Sequence, residues 1–176
     1  MGVDVVADTE LAEFLQAIQQ RLSRLALMLT GDRMSAEDLV QDTMVNVVRR
    51  WSKVRRADDP VAYVCRMTLN QWRDLGRRRG ARIVEMPLDD PGPSNEASTI
   101  ATDEALLDRL TLRDALSELT AKQRAVLYFR YYEDLSVREV ANILECSEGT
   151  VKSQTSYSLR VLARSNALAP VNRGSR

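Results

Sequence analysis

The most informative absence in this 176-residue chain is histidine, of which it has none. Without an imidazole there is no Ser-His-Asp triad, no Cys-His pair and no His-based zinc helix, so the commonest routes to hydrolytic and metal catalysis are excluded. We therefore expect a protein that is not an enzyme, with no catalytic residue, no metal site and no cofactor.

Cysteine and long apolar runs are equally scarce. Cys65 and Cys146 lie far apart and lack a CxxC spacing, so they predict neither a disulfide framework nor a zinc site, and both are interpreted as small buried or half-buried apolar residues. The first ten residues carry acids where a signal peptide would carry bases. No run approaches the ~20 apolar residues of a membrane span. We expect a cytoplasmic protein without membrane insertion.

A net excess of either charge is also missing, because 25 basic residues balance 25 acidic ones. The balance conceals four blocks: residues 1–48 carry −5, 49–82 carry +8, 83–118 carry −7 and 119–176 carry +4. Such asymmetry indicates interaction surfaces. Alternating solvated faces without a partner are the alternative.

The first 80 residues have the apolar period of helices and no strand-like alternation. Leucines and other apolar residues at three- and four-residue steps predict a helix that ends near Thr30. Ser35 with Asp38 resembles a capping box for a second helix. Asp59 before Pro60 is typical of the start of a third, which runs to about residue 79.

Residues 81–104 have no helical period and form a predicted acidic linker. Beyond it, Thr120 and Ser136 each begin a capping box, and another helix starts near Ser147. The tyrosines at 128, 131 and 132 are predicted to pack the C-terminal core. The fold class predicted is all-α, with two small helical domains joined by a flexible linker.

The helix predicted from Pro60 has two opposed faces. At about 100° per residue, a third of its circumference carries cations, an amide and an aromatic ring; these are Tyr63, Arg66, Asn70, Arg73 and Arg77, and the loop before the helix adds Lys53, Arg55 and Arg56. Arginine neutralises phosphates, a ring stacks on an unpaired base and an amide hydrogen-bonds a base edge, so this face favours single-stranded nucleic acid. A solvated arginine face is the alternative.

The second helix has a mixed outward surface. It consists of Asp38, Gln41, Asp42, Val45 and Arg49. A valine exposed among charged and polar residues indicates a contact with a partner, and a single stray apolar residue is the alternative.

Residues 136–144, a short turn and a helix from Glu148 have the proportions of a helix-turn-helix. Ala141 is small where the two helices would cross. The second helix carries side chains that hydrogen-bond phosphates and base edges; these are Thr150, Ser153, Tyr157, Arg160 and Arg164, with Lys152 and Gln154 on the flanks. Glu145 stands in the turn where many such motifs have glycine. A helical bundle with a basic end is the alternative.

Three stretches of the chain resemble the extracytoplasmic-function sigma factors, the small two-domain class of bacterial RNA polymerase specificity subunits. They are AEDLVQDTMVNVVRRW at 36–51, AYVCRMTLNQWRDLGRRR at 62–79 and LTAKQRAVLYFRYYEDLSVREVANILECSEGTVKSQ at 119–154. SEGTVKS after a helix with EVANIL is specific, and its pairing with AEDLVQD at this separation is more so.

The resemblance implies an alternative sigma factor that binds core RNA polymerase and directs promoter-specific initiation. By likeness to region 2.2, Asp38, Gln41, Asp42, Val45 and Arg49 would face the β′ clamp helices. By likeness to regions 2.3 and 2.4, the melted −10 strand would be held by Lys53, Arg55, Arg56, Tyr63, Arg66, Asn70, Arg73 and Arg77. The resemblance places region 2 at 1–80 and the linker at 81–104.

The resemblance also assigns the C-terminal half. It places region 4 at 105–165 and a tail at 166–176. By likeness to region 4.2, the −35 element would be contacted as duplex by Ser147, Glu148, Gly149, Thr150, Lys152, Ser153, Gln154, Tyr157 and Arg160. This domain would also dock on the β flap, and the acidic linker resembles the segment that runs toward the RNA exit channel. An anti-sigma factor is a further type of partner that the resemblance admits.

Departures from the family pattern prevent a promoter sequence from being transferred. Tyr63 stands where tryptophan is usual, and Gln154 and Tyr157 replace arginines common in relatives. Three alternatives stay open at this point: a helix-turn-helix regulator that binds duplex DNA without joining polymerase, a helical adaptor that binds only proteins, and an enzyme that uses carboxylates alone.

Overall fold

The computed structural model describes residues 3–78 and 112–164, and every regular element within them is helical, as predicted. The first half consists of α1 (Val3–Thr30), α2 (Arg33–Arg49), the short α3 (Trp51–Val54) and α4 (Pro60–Arg78). The second half has a helix over 112–117, then α5 (Ala121–Leu127), a π-helical turn (Tyr128–Tyr132), α6 (Val137–Leu144) and α7 (Glu148–Arg164). The predicted linker at 81–104 and tail at 166–176 lie outside the described residues. No helix in the described ranges is long and apolar enough to cross a membrane.

The junction between α1 and α2 differs from the predicted capping box. Gly31 ends α1 with a left-handed φ of 82°, and its amide donates to the Leu27 carbonyl at 2.9 Å. Asp32 then caps α2, because its Oδ1 accepts from the Ser35 amide at 2.7 Å. The prediction that Ser35 and Asp38 form the capping box is therefore wrong: Asp32 supplies the capping oxygen three residues earlier, and Ser35 falls inside the first turn.

The predicted start of α4 is confirmed. Oδ1 of Asp59 accepts from the Ala62 amide at 2.9 Å, and Pro60 occupies the first helical position, where its missing N–H leaves no hydrogen bond unmade. The apolar side of α4 packs on α1 and α2 through a cluster that includes Ile18, Leu22, Val47, Val54 and Val64. This packing leaves the polar side of α4 on the surface.

Both capping boxes of the second half are confirmed. Thr120 caps α5 with Gln123, and Ser136 caps α6 with Glu139. Between α6 and α7 the chain turns at Glu145, whose φ of 53° is left-handed. Ala141 is buried between the two helices of the helix-turn-helix, and so are the apolar residues Val140, Ile143, Val151 and Leu162.

The two halves pack against each other around one shared cluster. It contains Leu25 and Leu69 from the first half and Phe129, Ile143 and Leu144 from the second. An apolar side chain buried in such a contact contributes roughly 1.5–3 kcal/mol relative to leaving it exposed. Polar contacts join the same faces, so the described residues form one packed body rather than two isolated units.

The tyrosine run contributes to this contact unequally. Tyr128 is buried, as predicted, but Tyr131 and Tyr132 are 58% and 55% exposed, so the prediction that they pack the C-terminal core is wrong. The π-helical turn rotates these two rings outward. Tyr132 stacks on Tyr128 with ring centres 5.3 Å apart, and the Arg24 guanidinium of α1 lies 4.8 Å from the Tyr132 ring centre.

Candidate nucleic-acid interface

A polar cleft of about 680 Å³ opens between α2 and α4. Three of the five residues predicted for the polar face of α4 line it: Tyr63, Arg66 and Asn70. Arg49 and Asp42, predicted for the polymerase-facing surface of α2, line the same cleft. Two predicted surfaces therefore meet along one edge, and an aromatic ring, amides, cations and carboxylates line the space between them.

Sequence reasoning missed five polar residues of this cleft, which are Asn46, Arg50, Gln71, Asp74 and Glu145. A helical period sorts residues around one helix but does not say which faces of two helices meet. Asn46 lies one turn from both Asp42 and Arg49, so the outward face of α2 could have included it. Together these residues add two amides, a cation and two carboxylates to the lining.

The far end of the α4 face is engaged elsewhere. The Arg73 guanidinium donates to Oδ1 of Asn70 at 3.0 Å and to the Leu144 carbonyl at 3.3 Å, and it lies 3.7 Å from the Glu145 carboxylate. Arg77 pairs with Asp74 on the surface. The structure thus separates the predicted face into an open part at Tyr63, Arg66 and Asn70 and a part in contact with the second half.

The cations predicted for the loop before α4 lie on the surface, outside the cleft lining, and the first of them, Lys53, belongs to α3 rather than to a loop. Lys53, Arg55 and Arg56 are exposed, and Arg55 lies 3.8 Å from the Glu10 carboxylate. An ion pair at that distance and exposure contributes little. These side chains are therefore available to neutralise phosphates.

The outer face of α7 carries the predicted helix-turn-helix contacts. Ser147 caps the helix, because its Oγ accepts from the Thr150 amide at 3.1 Å. Seven of the predicted residues are exposed and two are half-buried; they are Ser147, Glu148, Gly149, Lys152, Ser153, Tyr157 and Arg160, and then Thr150 and Gln154. The buried side, with Val151 and Leu162, faces the core. A polar row on a capped helix is the geometry that a major groove admits.

The outward face of α2 is more apolar than the sequence suggested. All five predicted residues, Asp38, Gln41, Asp42, Val45 and Arg49, are exposed. Val45 is 48% exposed and Val48, one turn away, is 50% exposed, while Met34 at the start of the helix is 77% exposed. Exposed apolar side chains grouped among acids are typical of a protein–protein contact.

Burial suppresses the ionisation of two side chains, Cys65 and Tyr128. Burial raises the pKa of the Cys65 thiol to about 12, so it stays neutral. Burial and the hydrogen bond to Glu133 raise the pKa of the Tyr128 hydroxyl. Cys65 is buried and Cys146 is half-buried, in agreement with their interpretation as small apolar residues. The site can bind, through cations, amides and rings.

Comparisons with known proteins cover both halves. Residues 14–82 match the family Sigma-70 region 2, and residues 109–160 match the family Sigma-70, region 4. The chain is 38% identical over 145 residues to the ECF RNA polymerase sigma factor SigL of Mycobacterium tuberculosis, covering 80% of each protein. It is 35% identical to the RNA polymerase sigma-E factor of Streptomyces avermitilis, covering 82% of this chain and 78% of that one.

A solved structure shares the fold over both halves. It is the sigma factor RpoE in complex with the anti-sigma factor NepR from Bartonella quintana, with a TM-score of 0.68 and 25% identity. The likeness covers 93% of this chain and 99% of that one.

Proposed function

Because this chain belongs to the extracytoplasmic-function RNA polymerase sigma factors, we propose that the cleft between α2 and α4 holds the melted −10 strand and that α7 contacts the −35 duplex. The protein binds core RNA polymerase and directs promoter-specific transcription initiation. It acts in the cytoplasm and has no chemistry of its own. The proposed domains are region 2 at 1–80 and region 4 at 105–165.

The convergence of Tyr63, Arg66 and Asn70 on one cleft with Asn46 and Arg49 is the observation that carries the proposal. Unstacking a base costs a few kcal/mol, which a ring and amide contacts in a cleft can offset. The cations at positions 53–56 and those of the α4 face supply the phosphate contacts. Trapping unpaired bases here favours strand opening.

The proposed division of labour depends on tethering. The −35 contacts come from one face of a single helix, and the −10 contacts come from one cleft, so each half alone binds weakly. Once polymerase holds both halves, the second contact forms at a high effective concentration, which raises the overall affinity by orders of magnitude. The exposed patch around Val45 and Val48 is the proposed polymerase contact. An anti-sigma factor is a further proposed partner, because one accompanies the structurally similar RpoE.

Run-off transcription with purified core polymerase tests the two DNA sites. Genomic DNA fragments of the host first yield a promoter that this protein uses. On that promoter, Arg66→Ala and Lys152→Ala should each lower initiation about ten-fold, since removing a phosphate or base contact costs on the order of 1–3 kcal/mol.

A template with a pre-melted −10 segment separates the two roles. Arg66→Ala should regain most of its activity on this template, because the cost of opening has been removed, whereas Lys152→Ala should stay impaired. Full activity of both variants on the duplex promoter would contradict the site assignment. Gel filtration of the wild type with core polymerase tests the alternative function. A wild type that does not co-elute with core polymerase would favour a regulator that binds duplex DNA alone.

A further inference from the structure

The contact between the halves reaches into the proposed −10 surface at one cation. Arg73 extends the α4 face beyond Asn70, yet its guanidinium donates to the Leu144 carbonyl at the end of α6 and lies 3.7 Å from the Glu145 carboxylate. Its side chain is 33% exposed. One of the cations assigned to the DNA strand is therefore occupied by the second half of the same chain.

Glu145 is an unexpected residue for its backbone position. It follows α6 with φ 53° and ψ 52°, the left-handed conformation that a side chain disfavours and that glycine commonly adopts at a helix end. Among the described residues, the ion pair of its carboxylate is with Arg73. A disfavoured backbone conformation kept at a surface turn indicates that the side chain has a role there.

The same carboxylate borders the cleft. Among the described residues of the second half, Glu145 alone lines the cleft, together with Tyr63, Arg66 and Asn70 of the first half. A carboxylate beside arginines at the mouth of a strand-binding cleft stands where a phosphate of the strand would bind, and it carries the same sign of charge.

We propose that Glu145 is an intramolecular latch, whose carboxylate occupies Arg73 and the mouth of the cleft while the halves are packed together and leaves when DNA enters. The latch rests on the proposed function of the cleft. The ion pair between Glu145 and Arg73 is partly exposed, so it stabilises the packed state much less than the shared apolar cluster does. Because the carboxylate competes with DNA, we expect it to lower the affinity for DNA by about three-fold. Salt should weaken the effect by screening.

Binding of fluorescent single-stranded dT15 to the full-length protein at low salt, followed by anisotropy, tests the latch. Glu145→Gly should bind about three-fold more tightly than the wild type. Glu145→Gln, which keeps the side chain and removes its charge, should shift affinity in the same direction. Both increases should vanish in an Arg73→Ala background, because the partner of the carboxylate is then absent.

Asp134→Gly is the matched control. Asp134 is also a non-glycine residue with a left-handed φ, of 51°, and it is exposed, so this variant removes one negative charge and relieves the same backbone strain away from Arg73. Its affinity for dT15 should stay near that of the wild type. Equal effects of Asp134→Gly and Glu145→Gly would reduce the result to net charge and overturn the latch.

Arg66→Ala distinguishes failure of the latch from failure of the proposed function. If Arg66→Ala weakens dT15 binding while the Glu145 variants match the wild type, the cleft binds DNA and the latch is wrong. If Arg66→Ala leaves dT15 binding unchanged, the cleft itself is wrong, and the latch falls with it.

Discussion

Arg124 is 2% exposed, and its guanidinium donates to one backbone carbonyl of each half. Its Nε donates to the Met28 carbonyl at 2.8 Å, and Nη1 donates to the Leu119 carbonyl at 2.5 Å. The Met28 carbonyl belongs to the last turn of α1, where no intrahelical amide is available to it, and the negative end of the helix dipole favours a cation. One buried side chain thus completes a helix end from the other half of the chain.

Replacing Arg124 should therefore destabilise the whole protein. Arg124→Ala leaves two buried carbonyls without their donor and should lower the free energy of unfolding by about 2–4 kcal/mol, measured by denaturant titration. Arg124→Lys keeps the charge but cannot reach both carbonyls with a planar fork, so it should fall in between. Arg138→Ala, at an exposed position of α6, should stay within about 0.5 kcal/mol of the wild type. A cost no larger for Arg124→Ala than for this control would contradict the assigned role.

At the scale of the element, α6 begins with a capping box in which one of the two side chains, that of Glu139, carries a charge. Oγ of Ser136 accepts from the Glu139 amide at 3.2 Å, while the Ser136 amide donates to the Glu139 carboxylate at 2.7 Å. Hydrogen bonds from the Ser136 hydroxyl and then its amide lower the pKa of Glu139 below its usual 4.5. Because the folded pKa is depressed, the stabilisation is complete above 4.5 and is lost as the pH falls through the lower folded value.

The two capping boxes should respond differently to acid. Ser136→Ala should cost about 1 kcal/mol at pH 7 and should reduce the acid-dependent contribution of Glu139, because only the backbone amide still donates to the carboxylate. Glu139→Gln should keep a neutral cap whose contribution no longer changes below pH 4.5. Thr120→Ala breaks the matched box of α5, whose partner Gln123 carries no charge, so its cost should be the same at pH 7 and pH 3.5. Denaturant unfolding of each variant at pH 7 and pH 3.5 measures the contribution of both capping boxes. An acid-dependent loss in Glu139→Gln equal to that of the wild type would contradict the assignment.

The helix starts could be predicted where a single local signal was present. Asp59 before Pro60 and the box at Ser136 act within three residues, so the sequence determines them. The box at Ser35 was a wrong prediction because Asp32 offers a second acceptor nearby, and spacing alone does not rank the two. The outward turn of Tyr131 follows from a π-helical turn, which a period of 3.6 residues does not reveal.

The cleft could be predicted only in the part that one helix supplies. Tyr63, Arg66 and Asn70 share a face by their spacing, so the period of α4 was enough to group them. Asn46 and Glu145 reach the same space because separate elements dock there, and docking depends on shape rather than on local spacing. The contact of Arg73 with the second half was invisible for the same reason.

For the whole molecule, one apolar cluster shared by the two halves should make them unfold as one cooperative unit. Leu25 and Leu69 lie in the same apolar cluster as Phe129 and Ile143, and Arg21 of α1 pairs at 2.5 Å with Glu133, whose side chain is 7% exposed. Loss of one half would expose this surface on the other. A sigma factor that must place its halves on two promoter elements therefore needs polymerase contacts that offset the packing between them.

That coupling can be measured with the protein's own chromophores. Both tryptophans, Trp51 and Trp72, lie in the first half, whereas the helical circular dichroism reports both halves. Ile143→Val shortens a buried side chain of the second half and should lower the free energy of unfolding by about 1 kcal/mol. If the halves unfold as one unit, the midpoints of the tryptophan fluorescence and of the helical signal should fall by the same amount. A tryptophan transition that stays at the wild-type midpoint while the helical signal splits would show two independent units, and the packed arrangement would then contribute nothing that polymerase has to overcome.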